Sequence, residues 1–298
     1  MTPRGRVTVR VPATSANLGP AFDSAGLALG LYDEVVVDPA PDGVVVEVAG
    51  EGAGDVPLDE SHLVVASLLA TVQRLGGRLD GLRLRARNAI PHGRGLGSSA
   101  AAVVAGVLAG RALVPEASLT EADLLDLAAG LEGHPDNVAS CLLGGLTLAW
   151  ADPAGHFRAV RLEAHTELRP VVFVPPDRLA TETARSLLPA AVAHAAATAN
   201  AGRAALLVHA LTAAPDLLLE GTADQLHQDY REPAMPASLV LVGRLRAAGV
   251  PAVVSGAGPS VLALGAGRAT PELAPYCPGG WRFLPLSVDR RGATVQCG

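Results

Sequence analysis

The run Pro91, His92, Gly93, Arg94, Gly95, Leu96, Gly97, Ser98, Ser99, Ala100 and Ala101 places three glycines at alternate positions just before two serines and a small-residue stretch. Glycines let a backbone approach a ligand closely and adopt positive φ. A helix starting at Ser98 adds unpaired N–H groups and the positive end of its dipole, and together these bind phosphate. Ser98 and Ser99 can cap that helix, and either hydroxyl can also reach a phosphate oxygen or Mg²⁺. The plain alternative is a tight turn into a buried Ala-rich helix with an ordinary serine cap. The glycine spacing is not a dinucleotide-binding fingerprint, and no Lys follows to make a Walker-A loop. All 23 basic residues are Arg. The absence of Lys also excludes a pyridoxal-phosphate Schiff base and the strand Lys of protein kinases. Abundant Ala, Gly, Val, Leu and Arg give a simple origin for it in codon bias.

Other groups could serve an acceptor. Asn17 offers donor and acceptor, and Asp23 offers a carboxylate for an ammonium or hydroxyl. As plain structure, the stretch from Asn17 to Pro20 is a turn, and Asp23 is a helix cap or a solvated acid. Glu132-Gly-His-Pro-Asp-Asn137 reads as a helix C-terminus, stopped by Gly133 with Pro135 just beyond, leaving Asp136 and Asn137 as turn residues.

The elements that must position these groups alternate along the chain. Strands are predicted at 6–11, 32–38 and 44–48, the last two joined by the turn signal Pro41-Asp-Gly43. Helical spacing runs over 61–75 and stops at Gly76-Gly77. A strand at 82–86, helices at 98–113 and 120–131, and a strand at 145–150 follow. Residues 152–155 read as a linker. Strands at 160–164 and 171–174, helices at 181–188, 200–213 and 236–248, a strand–turn–strand at 253–264 and a closing strand at 281–288 complete the pattern, with 189–199 an Ala-rich loop or short helix. This predicts α+β architecture in two domains, 1–150 and 151–298.

Composition narrows the class. Against 29 acidic residues the formal charge is −6, and 3% are aromatic, which argues against a nucleic-acid binder. The longest apolar stretch, 100–110, falls short of the roughly 20 residues of a membrane span. With no apolar h-region near the N-terminus, and with Cys141, Cys277 and Cys297 far apart, the expectation is a cytoplasmic chain with no disulfide framework and no zinc site.

Three ordered segments resemble the GHMP kinase superfamily. Residues 91–101 are similar to its ATP-binding motif, 11–29 to its N-terminal substrate motif in the homoserine kinase form, and Val254-Ser-Gly-Ala-Gly-Pro-Ser-Val-Leu262 to its C-terminal Gly-rich motif. The resemblance covers essentially the whole chain. It implies an N-terminal ribosomal-protein-like domain with a left-handed βαβ unit, a ferredoxin-like C-terminal domain, and an active site between them. It implies ATP and Mg²⁺, with Glu132 and Ser99 as metal ligands and residues 91–101 around the nucleotide. It places Asn17, Asp23, His134, Asn137, Thr181, Arg185, Arg231, Gly256, Ala257 and Gly258 around the substrate, with Asn17, Asp23, Glu132 and Ser99 as the catalytic set. Arg185 and Arg231 would grip a carboxylate through their planar forks. Two departures stand out: Ala21 where the family usually has Gly, and His62 where it commonly has Asn near adenine.

The implied reaction converts ATP and L-homoserine to ADP and O-phospho-L-homoserine, a step toward threonine. The implied partner is this small molecule, with neither nucleic acid nor membrane, and a homodimer is a common arrangement in the family. The alternatives are another GHMP small-alcohol kinase, an inactive binding protein of the same fold, and an RNA-binding module, which the acidic charge disfavours.

Overall fold

The computed structural model describes residues 5–114, 119–266 and 272–298. Strands β1 (Val7–Leu18), β2 (Ala21–Ala40) and β3 (Gly43–Gly50) lead into helix α1 (Leu63–Arg74) and strand β4 (Gly81–Asn88). Helices α2 (Ser98–Leu113), α3 (Glu121–Glu132) and α4 (Pro135–Leu143) precede the β5 (Leu146–Ala151) and β6 (Phe157–Leu162) pair. Then come β7 (Leu168–Val174), α5 (Thr181–Ser186), α6 (His194–Thr212), α7 (Leu218–Gly221), α8 (Pro236–Ala247), β8 (Ala252–Val254), β9 (Val261–Ala266), β10 (Arg282–Pro285) and β11 (Thr294–Cys297).

The strands form two sheets. The larger runs β11-β1-β2-β4-β3, with β5 pairing β2 and β6 pairing β5; the smaller runs β10-β7-β9-β8. β3 and β4 are parallel and joined through α1. The first core sets Val7, Val9 and Val11 of β1 and Leu82 and Leu84 of β4 with Val64, Leu68 and Val72 of α1 and Val103 and Val107 of α2. Truncating such a Leu to Ala costs about 2–5 kcal/mol. The small residues of α2 have a packing cause: a Cβ at Gly110 would lie 2.7 Å from the Leu68 carbonyl oxygen, and one at Gly106 would overlap that of Val64. The second core gathers Phe173, Leu241, Leu245, Val254 and Val261.

Two expectations need correction. Residues 152–155 are no linker: they turn the β5–β6 hairpin, with Asp152 Oδ1 accepting the amides of Ala154 and His156. The first sheet therefore extends past residue 150, through β6 and also through β11, an element the sequence pattern did not expose. Residues 21–29, left without an element, continue β2, because they pair with β1 and, at Ala25–Leu27, with β5.

Candidate active site

The substrate motif is a hairpin end. β1 stops at Leu18, the chain turns at Gly19–Pro20, and β2 starts at Ala21. Asn17 and Asp23 both sit at positive φ, 56° and 52°. Non-glycine residues tolerate this region poorly, and Asn and Asp tolerate it best, which is why these residue types stand here. The Asn17 Oδ1 accepts the Asp23 amide at 2.8 Å, closing the turn on itself.

The Gly-rich loop enters α2 from a left-handed Gly97, with Gly93, Gly95 and Gly97 at φ 64°, 70° and 70°. Gly97 is the cap residue, and no side chain caps the helix. The expectation that Ser98 or Ser99 caps it is therefore overturned: both lie inside the first turn. Ser99 instead donates to Glu132 Oε2 at 2.7 Å. Glu132 reaches it from the last turn of α3, where left-handed Gly133 ends the helix, as the sequence indicates.

All three motifs meet at one residue. Ser255 Oγ donates to the Gly95 carbonyl at 2.7 Å and lies 2.8 Å from Ser15 Oγ. The Gly256 amide donates to the Ala16 carbonyl at 2.9 Å. A Cβ at Gly95 would overlap the Ser255 carbonyl oxygen, so Gly95 is required for backbone to meet backbone here.

A cavity of about 320 Å³ opens at this junction. Gly93, Gly95, Gly97, Ser98 and Ser99 form one wall; Asn17, Glu132, His134 and Asn137 form another; Thr181, Arg185, Arg231, Gly256 and Ala257 face them. Asp23 stands at the rim and holds Arg185 bidentately, at 2.6 and 3.1 Å. A second, largely apolar cavity of about 260 Å³ lies beyond Ser98 and Ser99, lined by Val56, Pro57, His62, Asn88, His92 and Ala101. His62 is buried there, and burial followed by the neighbouring His92 pulls its pKa down.

Not every expected residue reaches a cavity. Pro91, Leu96 and Ala100 are buried in the scaffold. Arg94 turns away: its guanidinium donates to the carbonyls of His92, Pro175 and Pro176 at 2.9, 3.0 and 2.6 Å. Gly258 backs onto Met235, whose sulfur a Cβ there would overlap.

One important residue was missed. Asp136, read as a turn residue, is buried in the first turn of α4 and lines the charged cavity. Its Oδ1 accepts the Asn137 amide at 2.7 Å, and its Oδ2 has no partner. Burial pushes its pKa up to about 6, the Asn137 amide opposes this, and the Asp23 charge adds to it. The available signal was its place between two motif residues, His134 and Asn137. Glu132 is likewise raised by burial, against the Ser99 bond and with the Asp136 charge. Across from these acids, Arg231 is 1% exposed, its Nε has no partner, and burial then Arg185 lower its pKa to about 10. Thr14 was missed too; its hydroxyl donates to Asn137 Oδ1 at 2.7 Å and so orients that amide.

A glycine-built helix entrance joining an apolar cavity to a charged one, on this α+β fold, defines a small-molecule kinase of the GHMP class, and residues 62–145 match the GHMP kinases N terminal domain. A homoserine kinase of Streptomyces avermitilis is 56% identical over 97% of this chain and 95% of its own. One from Clavibacter michiganensis is 50% identical over 98% of this chain and 94% of its own. The crystal structure of a homoserine kinase from Cytophaga hutchinsonii superposes with a TM-score of 0.85 at 28% identity, covering 99% of both chains. The chain belongs to the homoserine kinase family, and membership of a kinase family implies ATP as phosphoryl donor and a small molecule as substrate. Among the described residues no helix is long and apolar enough to cross a membrane.

Proposed function

We propose that the chain transfers the γ-phosphoryl group of ATP to the side-chain hydroxyl of L-homoserine, giving ADP and O-phospho-L-homoserine on the way to threonine. The observation that carries this is the composition of the 320 Å³ cavity: a backbone phosphate cradle faces two arginines and two acids, Glu132 and Asp136, with a third, Asp23, at its rim. An amino-acid acceptor needs such a set, with a fork for its carboxylate and anions for its ammonium.

The proposed roles follow from position. Amides of Gly95 to Ser99 and the α2 dipole receive the phosphates, and the apolar cavity takes the base. Arg231 and Arg185 take the substrate carboxylate, Asp136 and Asp23 its ammonium, and Asn17 and Asn137 direct its hydroxyl. Mg²⁺ fits beside Ser99 and Glu132. These are hard oxygen donors, and the half-buried Glu132 accepts the Ser99 hydroxyl. Among the described residues no group of three or more acidic, His or Cys side chains could hold a metal, which suits an ion that binds through one or two protein oxygens plus substrate phosphates. Bound there, Mg²⁺ would neutralise phosphate charge. Phosphoryl transfer is mainly positioning and charge stabilisation. Because Asp23 is engaged by Arg185, we assign it to orientation rather than proton removal.

The test is ADP release with Mg²⁺ and a panel of L-homoserine, mevalonate and galactose. Homoserine should be turned over fastest; equal or slower turnover overturns the substrate assignment. Asp23→Asn should raise KM for homoserine and leave kcat within about tenfold; a larger fall in kcat restores Asp23 as a base.

A further inference from the structure

We propose that His227 is a positioning residue for the acceptor: one imidazole fixes the Asn17–Asp23 turn and Arg231 against each other. The inference rests on the reading of the charged cavity as the homoserine site.

The ring is buried between the Gly19 carbonyl and the Phe22 ring. Its Nε2 lies 2.7 Å from the Gly19 carbonyl oxygen, which can only accept, so Nε2 carries the hydrogen. Its face stacks on Phe22, with centroids 4.8 Å apart and planes at 26°. Phe22 in turn sits near both carboxylate-binding arginines, 5.3 Å from the Arg231 Cζ and 5.4 Å from the Arg185 Cζ. The turn that His227 grips has positive φ at Asn17, Gly19 and Asp23, so it needs external support to hold one shape. It is seated directly on the segment before His227: a Cβ at Gly19 would lie 2.6 Å from the Thr222 carbonyl oxygen. Among the described residues two other side chains hold the turn's peptide carbonyls: Asn200, which donates to Pro20 at 2.7 Å, and the adjacent Ser24, which donates to Phe22 at 3.1 Å.

A packing role alone does not explain a histidine here. Nδ1 is buried without a partner, and a buried unsatisfied polar atom is costly. Burial, with the Arg231 charge, pulls the ring's pKa down, while Asp224, 3.7 Å from Nε2, the Gly19 bond and Asp23 oppose this. A phenylalanine of similar shape would stack equally well and carry no unpaired nitrogen, but it would leave the Gly19 carbonyl without its donor. What it would lack is the N–H to Gly19, so that bond is the reason for the imidazole.

Two variants separate donor from ring: His227→Phe keeps the stack and loses the donor, and His227→Gln keeps a donor and loses the ring. KM for L-homoserine and for ATP, kcat, melting temperature and calorimetric homoserine binding are measured for each. His227→Phe should raise KM and Kd for homoserine about tenfold or more, with KM for ATP within about twofold and a melting temperature lower by a few degrees at most, the cost of one carbonyl left without its donor. His227→Gln should restore homoserine KM to within about threefold. A homoserine KM within twofold of wild type in His227→Phe, or a parallel rise in both KM values, overturns the proposal. Nitrogen-15 NMR of the wild type should show a neutral Nε2–H imidazole whose signals move with homoserine and not with ATP. An Nδ1–H or doubly protonated ring, or signals indifferent to homoserine, also overturns it. Failure of the underlying reading looks different: the wild type itself would bind ATP but not homoserine, and the proposal would fall with it.

Discussion

On the proposed roles, the phosphate side of the site is made of backbone and the acceptor side of side chains. Around α2 the working groups are amides presented by glycines, with Ser99 and Glu132 as the polar side chains at the helix entrance. Across the cavity, Asp23, Asp136, Arg185 and Arg231 come from four separate segments and carry the charge. The two sides fail in different ways. A backbone cradle tolerates side-chain exchange but not a new Cβ, because its geometry lives in φ and close approach. A side-chain pocket tolerates small shifts of backbone but not the loss of one charged head. The absence of Lys belongs with this contrast: phosphate can be held by amides, dipole and metal, whereas a carboxylate is better met by an Arg fork.

The largest expected effect tests the backbone side. Gly95→Ala should lower kcat/KM about 1,000-fold and disturb both substrates, because φ is 70° and the new Cβ overlaps the carbonyl oxygen of Ser255, the residue whose hydroxyl ties the third motif to the loop. Steady-state kinetics with circular dichroism would show this; a loss under tenfold with a folded chain would mean the cradle is not set by close backbone contact. On the other side, Arg231→Met should raise KM for homoserine about 100-fold, the cost of about 3 kcal/mol for one buried charged anchor. KM for ATP should stay within about twofold. A matched rise in both would break the division between the two sides.

The same contrast explains what the sequence made legible. Glycine spacing states a backbone geometry directly, so the positive φ of Gly93, Gly95 and Gly97 could be expected before any fold was known. Asn17 and Asp23 stand out in the sequence for their polar groups and motif context, while their positive φ emerges only from the structure. Side-chain pockets assembled from distant segments leave weaker traces. Asp136 looked like a turn residue because its neighbours Gly133 and Pro135 already explained the local bend, and nothing local reveals that it is 1% exposed and half unpaired. Arg94 shows the opposite: a cation inside a phosphate motif invites a phosphate role, and only the fold shows that the carbonyls of His92, Pro175 and Pro176 engage it. The hairpin at 152–156 was hidden because an Asp-Pro-Ala-Gly run serves equally as a linker or a turn.

A third prediction uses Asp136, where function and stability pull apart. Its pKa is raised from 3.8 to about 6, mainly by burial. The folded chain therefore holds that proton where the unfolded chain has released it. The stabilisation is complete below pH 3.8 and is lost as pH rises to about 6, with no further change above. Such a displacement corresponds to about 3 kcal/mol at most. Asp136→Asn should thus raise the melting temperature at pH 7, flatten the stability slope between about pH 4 and 6, and weaken homoserine binding. Asp33, beside the apolar cavity, is also raised to about 6 by burial and accepts the amides of Ala89 and Ile90, so part of the slope should survive the substitution. Denaturant titrations across that range decide it; an unchanged slope would mean Asp136 is ionised at no cost, and the acceptor side would not be strained.

The smallest expected effect falls on Arg94, the one cation in the phosphate loop. Two of its three carbonyl acceptors, Pro175 and Pro176, tie the loop to residues 175–176, and the third is His92 in the loop itself. The neighbouring Gly93 carbonyl makes a parallel tie, accepting the Leu179 amide at 2.9 Å. Arg94→Met removes charge and three bonds but keeps this second attachment and every amide of the cradle. Stability should fall by about 1–2 kcal/mol, while KM for ATP changes by less than about threefold. A guanidinium that contacted phosphate would behave otherwise, with a KM for ATP at least about 30-fold higher and a binding constant more weakly dependent on salt. That outcome would place a charged side chain on the phosphate side and erase the difference between the two walls of the cavity. A near-normal KM with a lower melting temperature would sharpen it, since the loop's only cation would then serve the scaffold and leave the phosphates to backbone, dipole and metal.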